Sequence, residues 1–177
     1  MTTTFYKGVK KFHVTGSASP IHRSTGIRTG GLDVTLRNSF GGATANASAA
    51  TSRKKSAADS TGIGQCLTGE KDYAIDYIKS SFRNEGVLLV IRLDDGWLSH
   101  IVASAARPDV PFASMRDAAN AQECTVMRTV RPYMIFFARS DFTDTNESVA
   151  PISMFGNGTG MTFAAREDWS DYETDTW

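Results

Sequence analysis

The sequence predicts a domain of the α+β class, and two stretches and one total carry that expectation. From Gly64 to Leu93 a short strand leads into a helix, and the helix leads into the apolar strand Gly86-Val87-Leu88-Leu89-Val90-Ile91-Arg92-Leu93. Further on, two short strand patterns, Gln122–Met127 and Tyr133–Ala138, are separated by a break at Val130-Arg131-Pro132. With 41% hydrophobic residues, the 177-residue chain can bury the core of one domain.

Charge and cysteine content narrow the function classes. Nineteen basic and nineteen acidic side chains cancel. That argues against a general nucleic-acid or membrane-surface binder, which would need a basic excess. Cys66 and Cys124 make neither a disulfide framework nor a zinc pattern; a reduced setting fits, and pairing of the two stays open. No metal is expected. Residues 1–6 lack the apolar core of a signal peptide, and no run approaches the length of a membrane span.

Taken in order, Lys10–Thr15 reads as a short strand ending at Gly16. Ser19-Pro20 then opens a short helix, with Ser19 as its cap, that closes at Gly26 in a left-handed position. Gly30-Gly31 turns the chain. Residues 36–62 are small and aperiodic, which suits a long loop or a weak helix over 43–58. The cluster Arg53-Lys54-Lys55 is a solvated face on the plain reading and a phosphate contact on the functional one.

In the helix after Gly69, Ala74 and Ile78 share a face, and Tyr73 and Tyr77 sit one turn apart. Trp97–Val102 reads as a strand or a connection, Arg107–Pro111 as a turn, and Phe112–Ala119 as a helix. Asp94-Asp95 reads as a turn rather than a metal pair. The domain is expected to span 1–140. Residues 141–177 form a polar, acidic C-terminal segment, either part of the same domain or a flexible tail. Gly62-Ile63-Gly64 precedes a strand, so no dinucleotide fingerprint is present, and neither a P-loop nor a nucleophile elbow occurs.

Three polar residues flank these elements: His13 in Phe12-His13-Val14-Thr15, Tyr77 in Gly64-Gln65-Cys66-Leu67-Thr68…Ala74-Ile75-Asp76-Tyr77, and Glu123 in Glu123-Cys124-Thr125-Val126-Met127…Arg131-Pro132-Tyr133. With Ile21…Gly26-Ile27-Arg28 between the first two, this order resembles the ADP-ribosyltransferase fold of the histidine–tyrosine–glutamate class. Diphtheria-type toxins and poly(ADP-ribose) polymerases belong to that class. The resemblance covers residues 8–140. Val14 departs from the family's glycine, and Cys66 from a frequent tyrosine. Tyr6-Lys7-Gly8 resembles the Tyr-Arg-Gly opening of the arginine–serine–glutamate class, but the arginine and that class's other motifs are missing.

The resemblance implies two small, mainly antiparallel sheets with flanking helices and NAD as substrate in the cleft between them. It implies catalytic roles for three residues. His13 would hold a ribose hydroxyl, Tyr77 would stack on the nicotinamide, and Glu123 would stabilise the oxocarbenium-like cation that forms as nicotinamide leaves. Val14, Thr15, Arg28, Cys66 and Tyr73 would line the NAD site. The implied activity is mono-ADP-ribosyl transfer to a macromolecule, protein first and nucleic acid also open. A toxin or effector is implied, secreted or delivered by a dedicated system and acting in the target-cell cytoplasm, with an immunity protein as a candidate partner. NAD glycohydrolysis and a catalytically degenerate binding module are the alternatives. The plain readings stand beside these: a structural histidine, a core tyrosine and a solvated edge carboxylate.

Overall fold

Thr2–Lys10 forms the first strand, β1, its β-branched and aromatic residues suiting a pleated surface. It alternates with period two: Phe5, Lys7 and Val9 point to one face and Tyr6 and Gly8 to the other. The computed structural model describes residues 1–15, 26–34, 64–82, 85–104 and 107–150. Readings that fall elsewhere, including the 19–26 helix start, the 36–62 stretch with Arg53–Lys55, and 151–177, lie outside the described residues.

After β1 come α1 (Lys11–Thr15), α2 (Ile27–Gly30), β2 (Gln65–Leu67) and α3 (Lys71–Ser81). β3 (Gly86–Asp94) follows, then a 3-10 turn (Asp95–His100), β4 (Ile101–Ser104), β5 (Arg107–Pro111) and α4 (Met115–Asn120). β6 (Cys124–Val126), a 3-10 turn (Pro132–Met134), β7 (Ile135–Ala138) and β8 (Asp144–Ser148) complete the described order.

The described strands form two four-stranded antiparallel sheets, ordered β1-β3-β7-β8 and β2-β6-β4-β5. β3 is apolar on both faces because it is covered on both. Val87, Leu89, Ile91 and Leu93 join Leu67, Ile101, Cys124 and Val126 in the core between the sheets, whereas Leu88 and Val90 pack under Ala74 and Ile78 of α3. Gly8 lets α3 come that close: a Cβ there would lie 2.6 Å from Ile78 Cγ1.

Several local expectations are corrected. Residues 11–15 are helical, so the first strand lies before His13 rather than around it. Gly26 is extended rather than left-handed and opens α2. Residues 107–111 are an edge strand paired with β4, not a turn. The helix after Phe112 starts only at Met115, where the Ser114 hydroxyl accepts from the Asp117 N–H at 3.1 Å. β8 pairs with β7 and is followed by the buried Val149 and Ala150, so the first sheet continues past residue 140. No helix among the described residues is long and apolar enough to cross a membrane.

Candidate active site

β2 is the strand that joins the two sheets. It pairs with β6 along one edge, and on the other Tyr6 and Thr68 exchange backbone hydrogen bonds of 2.7 and 3.1 Å. The residues around this junction form the candidate site.

Lys7 is the inward-facing polar residue of β1. Only 2% of it is exposed, and its ammonium donates to the Cys66 carbonyl at 3.0 Å. The cavity beside it, walled by Gly8, Leu67, Thr68 and Ala74, encloses about 10 Å³, room for one water. Sequence reading met Lys7 only in the comparison of Tyr6-Lys7-Gly8 with a second transferase class and gave it no role. The signal was available: a lysine in the apolar phase of a period-two strand, between Phe5 and Val9.

α3 starts directly from this corner. The Thr68 hydroxyl accepts from the Glu70 N–H at 3.0 Å and fixes the turn into the helix. One turn in, the Tyr73 hydroxyl donates to Glu123 Oε1 at 3.1 Å. Burial pushes the Tyr73 phenol up to about 12, and the Glu123 charge adds to it, so the proton stays on the tyrosine. Glu123 is half-buried and stands immediately before β6. It is therefore Tyr73 that the fold brings to Glu123. Tyr77, one turn further on, meets Phe82 edge-on at 5.2 Å and packs between α3 and the first sheet.

On the outer face, the Tyr6 hydroxyl donates to Asp144 at 3.0 Å, and Lys71 pairs with the same carboxylate at 2.8 Å. β1, α3 and β8 are tied together there.

His13 lies on α1, not on a strand, and is 8% exposed. Burial, with the positive charges of Lys10 and Lys7, lowers its imidazole to about 4, so it is neutral at physiological pH. His13 and Lys7 thus lie within electrostatic reach of each other. Val14 is fully buried in the core between the sheets, and Thr15 ends α1. Arg28 is nearly buried, and its Nε donates to the Val149 carbonyl at 3.1 Å, tying α2 to the end of β8.

The cysteines are free. Cys66 stands opposite Thr125 and Cys124 opposite Leu67, so the two thiols point to opposite faces of the sheet and cannot pair. Burial first, then Cys66 and Glu123, pushes the Cys124 thiol up to about 12, which leaves it protonated and a poor nucleophile. No metal-holding group of His, Cys, Asp or Glu occurs among the described residues.

Comparison with protein-family models, curated proteins and solved structures returns no match to this chain.

Proposed function

We propose that the protein transfers ADP-ribose from NAD to a macromolecular acceptor, with Glu123 as the catalytic carboxylate. The observation that carries this reading is the Tyr73–Glu123 hydrogen bond at the junction of β1, β2 and β6. A phenol that donates to a carboxylate fixes the direction in which its charge points. That charge has most effect where a cation develops, as it does on the ribose when the nicotinamide bond breaks. Tyr73 acts on Glu123 as a positioning residue, whereas Tyr77, packed against Phe82, is not placed beside that pair.

The first-strand role assigned to His13 passes to Lys7. Its ammonium is a cation at the β1–β2 junction, of the sign that suits a ribose hydroxyl or a phosphate oxygen, and it is held in place by the Cys66 carbonyl. The cavity beside Lys7 is far smaller than a dinucleotide, so NAD would lie along the rim of the junction, or the β1–β2 corner would open around it.

The test is incubation of the full chain with NAD, with and without a cell lysate. Nicotinamide release with ADP-ribose appearing on lysate macromolecules supports the reading. Fast release without acceptor converts it to NAD glycohydrolysis. No binding heat and no release would leave a binding module instead. Glu123→Gln should keep the fold and lower release by about 10²–10³.

A further inference from the structure

A shallow basin of about 720 Å³ opens beyond the end of β6, whereas Glu123 precedes that strand's first residue. Trp97, Arg128, Arg131, Tyr133 and Met134 line it, with Asp94 at one side. The Arg128 guanidinium lies 5.3 Å from the centre of the Trp97 ring and 3.4 Å from His100 Nε2. Arg131 is exposed, and neither arginine is ion-paired with a described carboxylate. Asp94 is turned into its own loop, where it accepts from the Gly96 N–H at 2.9 Å. Tyr133 is 55% exposed, which is unusual for a large aromatic side chain. Arginine, tyrosine and tryptophan around one concavity are the residue types that dominate binding energy at protein interfaces.

The described chain ends at the same place. The Ser148 hydroxyl donates to the Pro132 carbonyl at 3.1 Å, and the Val149 N–H to the Ile135 carbonyl at 2.8 Å. Residue 150 therefore follows directly from a point beside Pro132, whose neighbours are Arg131 and Tyr133. Further along the sequence, residues 166–177 carry five carboxylates and one arginine, interleaved with Trp169, Tyr172 and Trp177. The fifteen intervening residues can span up to about 50 Å, so every part of the basin is within reach.

We propose that residues 166–177 dock in this basin of the same chain. Their carboxylates meet Arg128 and Arg131, and their aromatic rings meet Tyr133 and Met134. Charge and residue type are complementary, and the short tether holds the segment at an effective concentration of order millimolar, so individually weak contacts suffice. The inference is independent of the ADP-ribosyl reaction.

The experiment is NMR of the full chain with 15N-labelled tryptophan indoles. In the parent protein the Trp169 and Trp177 signals should differ from those of a free 166–177 peptide. They should move toward the peptide positions when salt is raised enough to shorten the screening length to a few ångströms. Arg128→Ser with Arg131→Ser should lower the docking constant about two- to fivefold per guanidinium removed. Glu173→Gln with Asp175→Asn, which removes two of the five carboxylates, should move the same signals. Tail signals identical in the parent, both variants and the free peptide would overturn the proposal. So would signals that depend on protein concentration, since the occupant would then be a second copy.

Discussion

Gly69→Ala tests how tightly the two halves of the candidate site are clamped together. Gly69 joins β2 to α3, and its backbone lies against α4, which leads to Glu123. A Cβ at Gly69 would sit 1.8 Å from the Ala119 carbonyl oxygen, with Ala119 C and Cα at 2.4 and 2.5 Å. All three are backbone atoms, so no side-chain rotation relieves the clash. The end of α4 must retreat by more than about 1 Å, and overpacking on that scale costs about 2–3 kcal/mol. For a chain of this size that lowers the melting temperature by about 5–10 °C. Gly96→Ala is the control: its Cβ meets only the Asp94 side chain, at 3.0 Å, and should cost less than about 0.5 kcal/mol. Urea titration of both variants gives the comparison. Moving Ala119 also moves Glu123, four residues on, so NAD turnover should fall in the fraction that still folds. If Gly69→Ala is as stable as the parent to within about 0.5 kcal/mol, the close approach of these segments is wrong and the Tyr73–Glu123 geometry falls with it.

Two further predictions follow from buried titratable groups. His13 has its imidazole lowered to about 4 from 6.5, so the unfolded chain binds a proton in that window that the folded chain refuses. The stability contribution is complete above 6.5 and is lost as pH falls toward 4. It amounts to at most about 3 kcal/mol, less to the extent that solvent screens the ring. Urea midpoints across this range should fall with pH in the parent and stay flatter in His13→Gln; parallel curves would remove His13 from the buried set. Lys7→Met replaces a buried cation with an apolar side chain of similar length, a change that buried-charge energetics often tolerates. It should leave the melting temperature within a few degrees and abolish the heat of NAD binding. Lost stability with unchanged NAD binding would make Lys7 purely structural.

Local pattern determined the parts of the molecule whose burial follows from neighbours in sequence. The spacing of Ala74 and Ile78 gave α3 its buried face, and the unbroken apolar run of β3 announced a strand covered on both sides. Glu123 immediately before a strand was also readable, whereas the pairing of Cys66 and Cys124 was left open and the register closed it. Only the tertiary structure decided where short strands begin. Residues 107–111 are a strand because β4 is there to pair with them, and Lys11–Thr15, which reads locally as strand, turns helical at the end of a longer β1. Pairing partners decided the candidate site as well. Which tyrosine of α3 reaches Glu123 depends on how the helix seats against Gly8 and Gly69, and Lys7 enters the site only because β1 crosses β2 at Thr68. Helix periodicity is carried within one segment, whereas strand identity and site geometry depend on hydrogen bonds and packing between segments far apart in sequence.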